Sequence, residues 1–370
     1  MKLFVVAGEK SGDKQGALLL AELLKRRPDV EVVGLGGCQM HALAPGVEDW
    51  ADQAAVIGVV EVLRHARFFL RRLDELTARV EREQPEGLLL IDYPGFNQRL
   101  AERVRRVSPR TKIAYFIAPM VWAWHRSRLP RLARVLDLMM CTFPFEKPLF
   151  EGAGLRTEFV GHPLVDDILA CRRTDVREKG LIGLFPGSRS REIERHFPIF
   201  LDVVKRLRVL HPEWRFETSA SSEKLAAVMR RMAERAGVSA ELINICPGSY
   251  HDLMDRAEAA LVTSGTATLE AALHELPFAL VYRVALGTWL LGRLILTIRF
   301  IGMVNILVDK PVVRELIQWD FNADNCIAEL ERLTSPASRE VVLEGMRESV
   351  GRLGHGGSAA RAAEALLSLF

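Results

Sequence analysis

The five cysteines (Cys38, Cys141, Cys171, Cys246, Cys326) form no C-x-x-C pair and show no metal-ligand spacing, so no metal site is expected. Their odd number and scatter fit reduced thiols of a cytosolic protein rather than a disulfide framework. No charge of one sign dominates: 50 Lys and Arg against 47 Asp and Glu leave a formal charge of +3, which argues against a nucleic-acid partner held by phosphate contacts. No uncharged apolar stretch reaches the 18 residues of a membrane span. The N-terminal MKLFVVAGEKSGD reaches Glu9 too early for the apolar region of a signal peptide and reads as a first buried strand. Low-complexity tracts and short-period repeats are absent as well.

Nucleotide fingerprints fail on inspection. GEKSGDK (8–14) has Asp13 where a P-loop needs its second glycine, and GLGG (34–37) lacks the third glycine of a dinucleotide site. ATP hydrolysis and nicotinamide chemistry are both disfavoured.

What the chain does have is apolar material, 49% hydrophobic against 26% charged, enough for one large or two medium cores. Short continuous Val/Ile/Leu-rich runs alternate with helical patterns: KLFVVAG, VEVVGLGG, GLLLID, KIAYFIAP, DLMMCTF and TEFVGHP, then LIGLFPGS, WRFETSA, AALVTSG and PFALVYR. Apolarity without alternation marks strands covered on both faces, hence an α/β protein with parallel sheets. The rhythm breaks between Pro163 and Leu181, which predicts two doubly wound domains, 1–170 and 171–345. The segment 346–370 ends in an Ala-rich helix that is free to pack back on the N-terminal domain.

Two strand-to-helix turns in the second half suit an anion. In LFPGSRSREIERHF, Gly187 and Ser188 follow a strand, and Arg189 and Arg191 enter the first helical turn, where cations oppose the helix dipole unless an anion binds. The alternative is a solvated Arg pair offset by Glu192 and Glu194. In LVTSGTATLEAAL, Ser264 or Thr266 caps a helix, with Gly265 between them. No Glu or Gln completes a capping box, which leaves Glu270 over. Either Glu270 holds the hydroxyls of a ribose while the SGT backbone holds phosphate, or it is a surface carboxylate.

In the first half, Glu9, Ser11 and Asp13 follow the first strand, and Asp92 closes GLLLID before YPGFN, which presents Asn97 on the same edge. Asp92 either works chemically or caps the next helix. Trp122 and Trp124 share a face if their segment is a strand, as an aromatic platform for a sugar or acyl chain; core filling is the alternative. His162 ends the last strand of the domain, as a base facing a cleft or as a structural residue.

Taken in order, AGEKSGD (7–13), GLGG (34–37), IGVVEVL (57–63), IDYPGFN (91–97), VWAWHRSR (121–128), PFEK (144–147), FVGHPLVD (159–166), PGSRSREI (186–193), SGTATLE (264–270) and VNILVDKPVVRELIQ (304–318) resemble the lipid A disaccharide synthases. Gly95, where many relatives carry Asp, and Arg314, where Pro or Lys is common, depart from the pattern without removing a chemical group. The resemblance implies the GT-B fold, two doubly wound Rossmann-like domains facing a cleft. It implies inverting transfer of 2,3-diacylglucosamine from its UDP derivative to the 6-hydroxyl of 2,3-diacylglucosamine 1-phosphate, giving a β(1→6) disaccharide and UDP with no cofactor or metal. Asp92 becomes the expected general base, with Glu9, Asp13 and His162 in reserve. Gly187, Ser188, Arg189, the 264–266 turn, Glu270 and Asn305 become UDP contacts, and Ser11, Asn97, Trp122 and Trp124 acceptor contacts. A homodimer is also implied. Rival readings are a 2-epimerase or another lipid glycosyltransferase of the same fold, and a non-catalytic sugar-nucleotide binder.

From Leu276 to Val308 there is no acidic residue, and Arg283, Arg293 and Arg299 are the only full charges. Trp289, Leu290, Leu294 and Ile298 fall near helical spacing, so the segment is either a helix lying on anionic lipid, with Trp289, Arg293 and Arg299 as contacts, or a buried interface helix. Acylated substrates favour the former, and with it a cytoplasmic enzyme on the inner membrane of a Gram-negative-type bacterium.

Overall fold

The computed structural model describes residues 1–51, 66–124, 126–295 and 298–370, and within them the chain forms two units. One comprises Met1–Pro163 and Leu353–Phe370; the other is Leu164–Arg352. The division thus falls at Pro163 rather than near 170. The expected irregular linker is instead a helix, Pro163–Cys171, whose Val165 and Ile168 are buried. Residues 346–351 complete the helix Pro336–Gly351 of the second unit, so the returning tail starts at Leu353 and not at 346. The motif at 57–63 and His125 lie outside the described residues.

The first unit holds a seven-stranded sheet built from Lys2–Ala7 (β1), Glu31–Gly36 (β2), Val47–Asp49 (β3), Gly87–Ile91 (β4), Lys112–Phe116 (β5), Leu138–Cys141 (β6) and Thr157–Phe159 (β7). The order is β3-β2-β1-β4-β5-β6-β7, with every pair parallel. Alternate residues of β1 serve the two faces: Phe4 and Val6 enter one core, Leu3, Val5 and Ala7 the other. The run is therefore apolar throughout because both faces are covered.

The tail closes that second face. Gly356 and Gly357, both left-handed (φ 80° and 69°), turn the chain into the helix Ser358–Leu367, which lies along Lys10–Arg26 and contributes Ala362, Ala363 and Leu366 to the core. Arg361 Nε donates to the Val160 carbonyl at 2.9 Å, and Ser358 Oγ to that of Gly161 at 3.0 Å.

The second unit carries Glu178–Phe185 (β8), Arg215–Ala220 (β9), Asn244–Pro247 (β10), Ala257–Thr263 (β11), Phe278–Tyr282 (β12) and Glu315–Ile317 (β13). They form a parallel six-stranded sheet in the order β10-β9-β8-β11-β12-β13. In each sheet the winding reverses once, between β1 and β4 and between β8 and β11. Ala7 lies beside Ile91, and Phe185 beside Val262, so the loops after these strands emerge together at the carboxyl ends, where open α/β sheets bind ligands.

Candidate functional site

At the second unit's reversal, the turns after β8 and β11 converge on a pocket of about 420 Å³. Gly187, Ser188, Arg189, Ser264, Gly265, Thr266 and Glu270 all line it, as do Ser219, Ser221, Gly248 and Tyr250, which sequence reasoning missed. Gly265 (φ 141°) leads into the helix Thr266–Leu273, which has no side-chain cap. Neither Ser264 nor Thr266 caps it; the hydroxyl of Thr268 turns back to the Gly265 carbonyl at 2.8 Å instead. An uncapped helix start opening into a pocket is a place for an anion.

The first turn behaves differently. Glu192, three residues into the helix Ser190–Leu210, curls back so that its Oε2 accepts the N–H of Ser188 at 3.1 Å and of Arg189 at 3.3 Å. Its Oε1 accepts from the Arg189 guanidinium at 3.1 Å. Gly187 (φ 111°) is required there, since a Cβ would stand 2.4 Å from Glu192 Oε2. This turn therefore presents to an anion the guanidinium of Arg189, 70% exposed, and not its backbone.

Glu270 is held rather than loose on the surface. Tyr250 Oη donates to its Oε2 at 2.7 Å, and the Tyr250 ring packs edge-on against Phe185. Burial and the carboxylate beside it push the phenol well above its ordinary range. The signal for Tyr250 in the sequence was slight, a single tyrosine after Gly248 in CPGSYHDL.

At the first unit's reversal, Asp92 and Tyr93 both take left-handed conformations, φ 48° and 52°. Two adjacent non-glycine residues there are strained. The strain is held by three contacts on the Asp92 backbone. Its N–H donates to Phe116 O at 2.9 Å; its carbonyl accepts from Tyr115 Oη at 2.6 Å and Asn97 Nδ2 at 2.8 Å. The Tyr93 ring lies over Gly8, where a Cβ would come within 2.3 Å of Cδ1. Burial first, and then the Glu9 charge, raise the Asp92 carboxyl above its ordinary 3.8. Glu9, at the start of the helix Lys10–Arg26, and Ser11, in its first turn, are exposed, so Ser11 lies on a helix and not on the expected loop.

Several expected roles are corrected. Asp13 is buried, and its carboxylate accepts the backbone N–H groups of Gly37, Gln39 and Met40 at 2.8–3.0 Å, so it caps the helix Cys38–Leu43 and is no reserve base. Asn97 is fully buried and braces backbone carbonyls, which removes it from acceptor binding. Asn305 is also buried. Its amide donates to Val313 O and Glu315 Oε1 and accepts from Val313 N, each at 2.9 Å, and it does not line the pocket.

Trp122 and Trp124 sit in a turn beyond β5, not on a strand, and so do not share a face. Trp122 is buried with its indole N–H on Glu146 Oε1 at 3.0 Å, while Trp124 is half exposed. His162 is half-buried, its ring 5.0 Å from that of Phe143 and its backbone N–H tied to Leu353 O.

The acid-free segment forms the helix Leu286–Ile295, with Leu286, Leu290, Leu291 and Ile295 exposed at 41–58%. The helix is thus not packed into the core of its own unit. The half-buried Trp289 ring stands nearly perpendicular to that of the exposed Trp319, with the Arg293 guanidinium 5.7 Å from its centre, and Arg299 is exposed. Arg283 donates to the carbonyls of Gln318 and Phe321, and Ile298 lies beyond the helix. The side chain of Leu294 is outside the described residues. No helix among the described residues is long and apolar enough to cross a membrane.

Two all-parallel, doubly wound Rossmann-like domains, each with ligand loops at its reversal, define the GT-B fold. Solved structures of that architecture include the UDP-GlcNAc 2-epimerase of Neisseria meningitidis bound to UDP-GlcNAc (TM-score 0.64, 13% identity, 100% of both chains). Another is MurG of Acinetobacter baumannii (TM-score 0.58, 12% identity, 99% of both chains). The chain belongs to the lipid-A-disaccharide synthetase family, whose model matches residues 3–366, and is a glycosyltransferase. Relatives named lipid-A-disaccharide synthase from Myxococcus xanthus and Geobacter sulfurreducens are each 36% identical over 377 and 382 residues, covering 100% of this chain and 97% of theirs.

Proposed function

We propose that this chain transfers 2,3-diacylglucosamine from UDP-2,3-diacylglucosamine to the 6-hydroxyl of 2,3-diacylglucosamine 1-phosphate with inversion, forming the β(1→6) disaccharide and UDP. The family supplies the reaction class; the pocket at the β8–β11 reversal is the single observation that carries the donor assignment. Its open helix start at Thr266 and the Arg189 side chain suit a diphosphate, and Glu270, fixed by Tyr250, suits two ribose hydroxyls.

An α-linked donor giving a β product requires one in-line displacement, in which a base takes the acceptor proton as the diphosphate leaves. Asp92 is that base: its strained backbone aims it, and its raised pKa makes it a stronger proton acceptor than an ordinary carboxylate. Arg189 and the Ser264–Thr266 turn stabilise the charge growing on UDP, with no cofactor and no metal entering the transfer. The leucine-lined helix Leu286–Ile295 rests on anionic lipid, where both acylated substrates reside.

The test is product formation from the two acylated glucosamines, with Asp92→Asn in parallel. The disaccharide and UDP should appear with the native chain. Asp92→Asn should lose turnover by roughly 10²–10⁴-fold while keeping UDP affinity. Absence of disaccharide would remove the reaction; undiminished turnover in the variant would remove Asp92 as base.

A further inference from the structure

Beside the pocket lies a second cluster that the transfer reaction does not use. Cys171 ends the helix Pro163–Cys171, His251 is the second residue of the helix Tyr250–Arg256, and His274 follows the helix Thr266–Leu273. Their ligand atoms (one sulfur and two imidazole nitrogens) all lie within 4.8 Å of one another. His251 Nδ1 and His274 Nε2 are 3.2 Å apart. Two imidazole nitrogens on one tetrahedral zinc, at bonds of about 2.0–2.1 Å, stand roughly 3.3 Å apart.

A second observation points the same way. The other nitrogen of His274, Nδ1, sits 2.6 Å from the buried Asp255 Oδ1, and Asp255 is one turn along from His251 on the same helix. A carboxylate behind a histidine fixes the tautomer that leaves Nε2 as the lone-pair nitrogen, which is how metal-bound histidines are commonly held. The Asp255 carboxylate also brings a negative charge next to the cluster. Arg173 meets the other oxygen of Asp255, its backbone N–H donating to Oδ2 at 3.1 Å and its Nε standing 3.7 Å away, which leaves Oδ1 to His274; Arg172 is drawn off by Glu275, whose Oε1 is 3.3 Å from its guanidinium.

We propose that Cys171, His251 and His274 bind one Zn2+-class cation, with Asp255 as the outer carboxylate and water in the fourth position. One soft sulfur and two imidazoles favour zinc or cobalt over magnesium or calcium. On binding, the Cys171 thiol proton goes to solvent and the His251 proton moves from Nδ1 to Nε2, so both nitrogens meet the metal as lone pairs. The site lies outside the transfer machinery, yet it is joined to the pocket. His251 follows Tyr250, and the His274 N–H donates to Glu270 O at 2.9 Å. A bound cation therefore cross-links the two segments whose Tyr250 and Glu270 side chains meet.

Cobalt and zinc titrations of the metal-stripped full chain test this without any reference to sugar transfer. One equivalent of Co2+ should give the visible bands of a tetrahedral site together with a near-ultraviolet thiolate-to-cobalt band, and Zn2+ should displace it and raise the Tm. Cys171→Ser should abolish the thiolate band. His251→Ala should weaken binding at least tenfold; both positions are exposed, so the fold tolerates them. A spectrum without the thiolate band, or stoichiometric binding that persists in the Cys171→Ser/His251→Ala double variant, would overturn the site. The bare alternative, a hydrogen bond between the two rings, predicts the first of these, no thiolate band.

Discussion

At the scale of single residues, carboxylates divide by what surrounds them. Asp13 is saturated by three N–H groups, Glu192 by two and a guanidinium, whereas Asp92 is desolvated beside Glu9. Because the Glu9 charge helps raise the Asp92 carboxyl, Glu9→Gln should lower that pKa and move the acid limb of the kcat/KM profile to lower pH, with turnover kept. Loss of turnover in Glu9→Gln would make Glu9 the base instead. Glu146 offers a stability test. It is buried, accepts from Trp122 Nε1 and Phe143 N, and burial raises it from its ordinary 4.5 to about 8. Between those values the folded chain holds a proton that the unfolded chain has lost. Glu146 therefore makes stability fall as pH rises from about 4.5 to 8, by at most about 1.4 kcal/mol per pH unit. Glu146→Gln should remove that slope, measured as the difference in Tm between native and variant at pH 5 and 8; parallel curves would refute it.

At the scale of elements, the long apolar strands were legible because burial on both faces leaves continuous Val/Ile/Leu runs. The edge strands β3, β10 and β13, only three or four residues each, leave no such run. Both turns that converge on the pocket of the second unit were readable from glycine followed by a helix start. Their inner differences were not, since the Glu192 contact to the Ser188 and Arg189 backbone competes with any ligand in a way spacing does not show. Trp122 and Trp124 misled because two-residue spacing implies a shared face only on a strand. Cys171, His251 and His274 were invisible as a group because three separate elements supply them. The helix Leu286–Ile295 shows the reverse case: composition alone could not separate a core helix of the unit from an outward-facing one, and the exposure of Leu286, Leu290 and Leu291 does. Arg293→Glu/Arg299→Glu should reduce binding to anionic vesicles by tenfold or more in a flotation assay, at about 1 kcal/mol lost for each basic charge. Leu290→Ser/Leu291→Ser should reduce binding to neutral and anionic vesicles alike. Unchanged binding in both variants would contradict the lipid-facing role.

At the scale of the whole molecule, the chain leaves its first unit at Pro163, builds the second, and returns at Leu353 to finish the first. Folding of the first unit thus depends on residues 353–370, which follow the whole of the second unit in the chain. Leu366, 1% exposed, is part of that core, and Leu366→Ala should cost about 2–5 kcal/mol. Hydrogen exchange should then quicken in β1 and the helix Lys10–Arg26 and stay unchanged in β8 and β11; equal quickening in both units would show that the tail does not belong to the first alone.

The same duplication, a ligand loop pair at each sheet's reversal, underlies the assignment of donor and base to different units. A crystal structure with UDP bound tests it most directly. Ribose hydroxyls should lie within hydrogen-bond distance of Glu270, and the diphosphate at the Thr266 helix start with Arg189 swung from Glu192 onto it. UDP seated elsewhere, or bound with Glu270 still engaged only by Tyr250, would contradict the account.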